Sequence, residues 1–147
     1  MKQECQNIYK NARITAGMTQ ERWAEVLGIS PESVRLYESG RGLPGDEVVA
    51  AMCEVAVMPV LGYRHLRNKS QVAENILPEV RRVELPQAVL QLLKEMKDFR
   101  ADLDELLVIA ADGVVDSEES PVFDDILEAL DGVIRAALTV KYAERGG

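Results

Sequence analysis

The sequence predicts an all-α protein in two parts, on three observations. Residues 18–41 encode two short helices joined by a turn of two residues. From Pro86 onward, apolar residues recur at helical spacing without interruption, and beyond an acidic turn the chain returns through another helix with a broader apolar stripe. The expected organisation is a compact five-helix domain over residues 1–68, a connector over 69–85, and a long antiparallel helical hairpin over 86–147.

Each element has its own local reason. Helix one is expected over about Gln3–Ala16, with Ile8, Tyr9 and Ala12 facing inward and Gly17 as its stop. Thr19 is a good N-cap for a second helix over Gln20–Leu27, which Gly28 ends where a left-handed residue costs little. Ser30 caps a third helix, Pro31–Ser39, with Pro31 at the first helical position, where its missing N–H is no loss. Only Gly28 and Ile29 separate the two, too few for an antiparallel return, so the third helix should cross the second steeply. Trp23, Ala24 and Leu27 form the inner stripe of one, Val34 and Tyr37 that of the other. Glu32, Ser33, Arg35, Leu36 and Ser39 are left on the outer face.

After the loop Arg41-Gly42-Leu43-Pro44-Gly45, Asp46 is expected to cap a fourth helix, about Glu47–Val57, whose Val48, Val49, Met52, Val55 and Ala56 close the small core. Pro59–Arg67 reads as a fifth helix with Val60, Leu61, Tyr63 and Leu66 on its apolar side. The connector contains Pro78 and short apolar patches, enough for one or two helical turns.

Residues 8–57 resemble the lambda-repressor/Cro type of helix-turn-helix, also called the Xre type. The residues that carry the resemblance are Thr19-Gln20, Ala24, Leu27-Gly28, Ile29-Ser30, Val34, Tyr37 and Glu38-Ser39-Gly40. The resemblance implies a sequence-specific DNA-binding transcriptional regulator of the phage or prophage repressor kind, reading double-stranded DNA as a homodimer. It places base reading on Pro31, Glu32 and Leu36, with Ser33 and Arg35 close by. Pro31 and Leu36 depart from the common polar choice and offer only apolar contact, for instance to a thymine methyl, while Glu32 can accept from cytosine N4. Arg35 could take guanine or a phosphate. The N–H groups of the helix starts at Thr19 and Ser30 should face phosphates, with Gln20 and Arg41 as side-chain clamps. An ion pair common in the family, between the first helix and the end of the reading helix, has its candidates in Arg13 and Glu38; its expected role is structural scaffolding.

The hairpin follows from periodicity. Val89, Leu92, Met96, Phe99, Leu103, Leu106 and Ala110 lie 3, 4, 3, 4, 3 and 4 residues apart, an uninterrupted seam along a helix expected over Pro86–Ala111. Such a rod would be roughly 39 Å long and cannot bury itself. The returning helix, Pro121–Ala143, carries Phe123, Leu127, Leu130 and Ile134 within a stripe wider than one partner requires. A hairpin with apolar surface to spare is completed by a second copy, a four-helix bundle, so residues 86–143 are the expected dimer interface. The competing expectations are that the spare surface folds onto the first domain, or that the chain is an antitoxin-like or adaptor protein whose acidic hairpin binds a protein partner.

Composition excludes other classes. At 147 residues and 47% apolar content the chain is too hydrophobic for general disorder. No run nears the roughly 18 apolar residues of a membrane helix, and the start lacks a signal-peptide apolar region, so a soluble cytoplasmic protein is expected. Cys5 and Cys53 have no metal-site spacing and read as structural thiols. Asp112, Asp116, Glu118 and Glu119 suggest a calcium loop, but counting from Asp112 the sixth and twelfth positions are Ser117 and Phe123, which fails the pattern. Asp116 or Ser117 is the better reading, as an N-cap. The single histidine, His65, has no Cys or Asp arrangement beside it and is expected at the surface or an interface. Neither an enzyme nor a cofactor or metal site is expected.

Net charge divides unevenly. Residues 1–69 carry nine Lys/Arg against eight Asp/Glu, a net of +1; residues 70–147 carry eight against seventeen, a net of −9. A first half with Arg13, Arg22, Arg35 and Arg41 can still present a positive face, but a weak one.

Overall fold

The computed structural model describes residues 7–145, and the chain divides into two units, the first ending at Leu77 and the second beginning at Pro78. The described residues are helical, with α1 Ile8–Thr15, α2 Gln20–Leu27, α3 Pro31–Glu38, α4 Asp46–Ala56, α5 Pro59–Lys69 and α6 Gln71–Ile76 in the first unit. The second holds α7 Leu85–Ala101, α8 Leu103–Ala110 and α9 Ser120–Tyr142.

In the first unit, caps set the boundaries. The Asn7 side chain accepts from the N–H groups of Tyr9 and Lys10, so α1 starts at Ile8; the expected residues 3–6 of this helix lie outside the described residues. Gly17 (φ 69°) and Gly28 (φ 68°) take the left-handed conformation that ends α1 and α2. The core is Tyr9, Ala12, Trp23, Ala24, Val34, Val49, Met52 and Leu61, all buried. Trp23 sits at its centre, without solvent contact.

Three expectations for this unit are corrected. Asp46 is the first residue of α4, not its cap; Gly45 occupies the cap position with no side-chain bond, and the Asp46 carboxylate reaches α5 instead. The inner side of α5 is Leu61 and His65, four residues apart, whereas Leu66 is exposed. His65 is therefore buried, not superficial, because the polar ends of its ring find partners: Nδ1 lies 2.8 Å from Tyr9 Oη and Nε2 lies 3.0 Å from Asp46 Oδ1. Lys69 Nζ also donates to Asp46 Oδ1, at 2.7 Å, and together Lys69 and His65 hold that carboxyl below its usual range. Burial pushes the Tyr9 phenol up.

The stretch read as a connector is shared between the units. Ser70 caps α6, which packs on α5, and Arg67 Nε donates to the Leu77 carbonyl at 3.0 Å. Val80 is buried in the second unit, where the Glu144 N–H donates to the Val83 carbonyl and Arg82 pairs with Glu144. These contacts bring the start of α7 beside the end of α9, so the two helices run antiparallel.

The expected 26-residue rod is broken at Asp102 (φ −92°, ψ −7°), whose N–H bonds to the Phe99 carbonyl in a tighter turn; Asp is a poor residue for a helix interior. The seam is also rotated. Leu92, Phe99 and Leu106 face inward as expected, but the positions between them are Ala88, Glu95 and Ile109, each one residue before the expected Val89, Met96 and Ala110. Val89, Met96 and Leu103 are exposed at 38%, 52% and 39%. The reason lies on α9. Gly132 and the buried Ala136 allow close approach there, and the Glu95 side chain, held by Gln91 Nε2 at 2.7 Å, lies across Gly132, where any Cβ would stand 2.6 Å from Glu95 Oε2. Ala88 and Glu95 thus take the inner line of α7, and Val89 and Met96 turn outward.

The acidic turn is closed by its own carboxylates: Asp116 Oδ1 accepts from the Glu118 and Glu119 N–H groups while Glu119 Oε2 accepts from the Asp116 N–H. The expected N-cap at Asp116 or Ser117 is corrected, since α9 begins at Ser120 and Glu119 holds the cap position without a side-chain bond, its carboxylate being turned back to Asp116. Among the described residues no group of three or more His, Cys, Asp or Glu could hold a metal ion, and no helix is long and apolar enough to cross a membrane.

Candidate nucleic-acid interface

The candidate interface is built on α2 and α3, which pack on the Trp23 core and are joined through one carboxylate. Glu38, at the end of α3, accepts from Arg13 Nε at 2.6 Å and Arg13 Nη2 at 3.1 Å, and from Gln20 Nε2 at 2.9 Å. Arg13 Nη1 also donates to the Met18 carbonyl at 2.8 Å. The two side chains of the pair are only 13% and 6% exposed, so water screens them little. Burial alone would raise the Glu38 pKa, but the hydrogen bonds from Arg13 and Gln20 outweigh it, and the carboxyl is held below its usual range. The hydrogen bond to Glu38 likewise raises Arg13. One side chain of α1, one of α2 and one of α3 are thereby locked together, which fixes the angle at which α3 leaves α2. At the opposite edge, Asn7 Nδ2 donates to the Tyr37 carbonyl at 2.8 Å, tying the start of α1 to α3 as well.

On this frame the expected reading residues separate into engaged and free groups. Ser30 Oγ accepts from the Ser33 N–H at 3.1 Å and lies 2.9 Å from Ser33 Oγ, so both hydroxyls take part in the cap. Pro31 occupies the first turn, half-buried, and Glu32, Arg35 and Leu36 are exposed along one side of α3. Leu36 has a second task. Its carbonyl receives Ser39 Oγ at 2.9 Å and the N–H groups of Arg41 at 3.2 Å and Gly42 at 3.3 Å, and its side chain covers Gly42, where a Cβ would fall 2.7 Å from Leu36 Cγ. That wrapping aims the exposed Arg41 just past the end of α3.

Gln20 differs from its expected place among the phosphate clamps, since its amide nitrogen is bound to Glu38. Its backbone still belongs to the first turn of α2, beside the Thr19 hydroxyl that accepts from the Arg22 N–H at 3.2 Å. Asn7 and the Tyr9–His65–Asp46–Lys69 chain went unread in the sequence. An Asn ahead of Ile8 was the available signal for the first; nothing local announces the second, which joins three helices far apart in sequence. The side chains of the expected dimer set divide likewise: Leu92, Phe99, Leu106, Phe123 and Leu130 are half-buried within the hairpin, while Val89, Met96, Leu103, Leu127 and Ile134 are exposed.

Residues 10–59 match the family model described as a helix-turn-helix domain. No curated protein and no solved structure matches the chain. The matched segment runs from α1 through the first residue of α5 and contains α2, its two-residue turn and α3, together with the Arg13–Glu38 pair that holds them. Capped, crossed and locked in this way, residues 10–59 have the architecture of the helix-turn-helix domain they match, which suggests a DNA-binding regulator.

Proposed function

We propose that the protein is a sequence-specific transcriptional regulator that binds double-stranded DNA as a homodimer, α3 entering the major groove. The observation that carries this reading is the rigid presentation of Glu32, Arg35 and Leu36 along one exposed side of α3, which is anchored at its far end through Glu38. Leu36 meets a thymine methyl, Glu32 accepts from cytosine N4, and Arg35 takes guanine or phosphate. The free N–H groups in the first turns of α2 and α3, with Arg41, hold phosphates and set the register. Residues 1–69, at a net charge of +1, gain little from non-specific attraction, so two copies are needed for a stable complex, and residues 86–143 supply the pairing.

Selection of bound sites from random DNA by the purified chain tests this. The expected product is a palindrome whose half-sites lie about one helical turn apart. Recovery of no enriched sequence would overturn the reading, and a single unpaired half-site would remove the homodimer from it.

A further inference from the structure

Each long helix of the hairpin carries two apolar faces, and only one is used within the chain. On α7 the inner face is Ala88, Leu92 and Phe99; a second line, Val89, Leu93 and Met96, is displaced from it by about 100° around the helix, toward increasing residue number. On α9 the inner face is Val122, Ile126, Val133 and Ala136, and a second line through Leu127 and Ile134 is displaced by about 100° in the same sense. Because α7 and α9 are antiparallel, displacements of the same sense bring both lines to one side of the hairpin. Two apolar faces about a quarter-turn apart are what a helix has when it contacts two neighbours in a four-helix bundle; a helix of an isolated hairpin needs one.

We infer that this second face is closed by the same face of another copy of the chain, with α7 of each copy lying on α9 of the other. The inference rests on the homodimer proposed above and adds which surface pairs and in what arrangement. Charge decides the arrangement. On α7 Arg100 continues the second line and Lys97 stands at its outer edge; at the outer edge on α9 stand Asp124, Glu128, Asp131 and Arg135. Glu95 lying across Gly132 sets the register of the two helices, so that Lys97 comes within one residue of the level of Asp131 and Arg100 within one residue of the level of Glu128.

A two-fold axis parallel to the helices keeps those levels and places Lys97 by the partner's Asp131 and Arg100 by the partner's Glu128. Arg135 stands one turn further along, level with Leu92, clear of these pairs. A two-fold axis across the helices would instead lay α7 on α7 and α9 on α9, setting base against base and acid against acid. The five apolar side chains expose on the order of 400 Å² per copy; doubled, and with the charged edges added, the pair would bury about 1,200 Å², where specific interfaces begin.

Light scattering and sedimentation equilibrium on the full chain test the inference. Leu93 is 59% exposed in the single hairpin, so Leu93→Asp should leave the helix content unchanged while abolishing self-association at concentrations where the parent is fully dimeric. The pair Lys97→Glu with Arg100→Glu, and separately Glu128→Lys with Asp131→Lys, should each weaken the homodimer about tenfold or more. Mixing the two charge-reversed chains should restore association as a heterodimer. A monomeric parent, or a dimer that Leu93→Asp leaves intact, overturns the second copy as occupant of this face. Loss without rescue on mixing overturns the α7-on-α9 arrangement. Site selection on DNA reads out separately: a palindrome selected by a chain whose dimer ignores Leu93→Asp refutes the bundle alone, and a bundle that selects no sequence refutes the DNA reading alone.

Discussion

Replacing Arg13 by Met should strongly destabilise the helix-turn-helix. The substitution keeps most of the side-chain volume and removes both guanidinium bonds to Glu38, at 2.6 and 3.1 Å, and the one to the Met18 carbonyl. The Glu38 carboxylate, with 6% of its side chain exposed, is then left with Gln20 alone. Removing one partner of a buried pair costs about 3 to 5 kcal/mol, and the 13% exposure on the arginine side places this case at the lower end, about 3. For a unit of this size, a urea slope of about 1.5 kcal/mol per M puts the shift in midpoint near 2 M. Trp23 is the sole tryptophan and is fully buried in this unit, so its fluorescence reports the unit's unfolding without interference from the hairpin. A further change of Glu38 to Leu should recover much of the loss, because the stranded charge disappears with it. A loss below about 1 kcal/mol for Arg13→Met, or strictly additive losses in the double variant, would refute the argument that the pair is buried and coupled.

The same carboxylate gives a pH dependence. Its folded pKa lies below the ordinary 4.5, so the stability it contributes is complete above that value and is lost as pH falls through the folded pKa; the Trp23 urea midpoint should hold from neutrality and drop only in acid below about 4.5. Val57 is a β-branched residue at φ 51° and is 85% exposed, so Val57→Gly should stabilise the unit by roughly 0.5 to 1 kcal/mol through relief of backbone strain, read as a higher urea midpoint, and a fall would show that the left-handed turn is not strained. His65→Leu should cost about 2 kcal/mol by stranding the buried Tyr9 hydroxyl, with part of the loss recovered when Tyr9→Phe is added; no recovery would place the cost in packing instead. On DNA, Arg41→Ala should weaken binding to all sequences and lower the salt slope by about one, whereas Glu32→Ala should alter base preference; equal, sequence-blind losses from both would remove Glu32 as a reader.

The helix-turn-helix was legible because its signals are local. Thr19, Gly28, Ser30 and Pro31 act within three or four residues of themselves, and each stands in the structure where its chemistry requires. Arg13–Glu38 was legible through resemblance, but the third member, Gln20, was assigned outward because a polar residue in the first turn of a helix carries no mark of which way its amide turns. The hairpin shows the same limit on a larger scale. Spacings of three and four residues announce an apolar line on α7, yet Ala88 and Glu95 are as regularly spaced as Val89 and Met96, and hydrophobicity favours the larger pair. What selects the inner line is the close approach that Gly132 and Ala136 permit, which belongs to a different helix forty residues away. His65 was misplaced for an allied reason: its burial depends on Tyr9 and Asp46, neither near it in sequence.

The division of charge between the two halves of the chain bears on how such a reader would search a genome. Retention on arbitrary duplex scales with the number of phosphates a protein neutralises. Residues 1–69 at +1, tethered to residues 70–147 at −9, would be shed quickly from chance encounters and would travel by three-dimensional hops more than by sliding. Residence would then be decided almost wholly at the correct base sequence, and occupancy would follow the cell's ionic conditions only weakly.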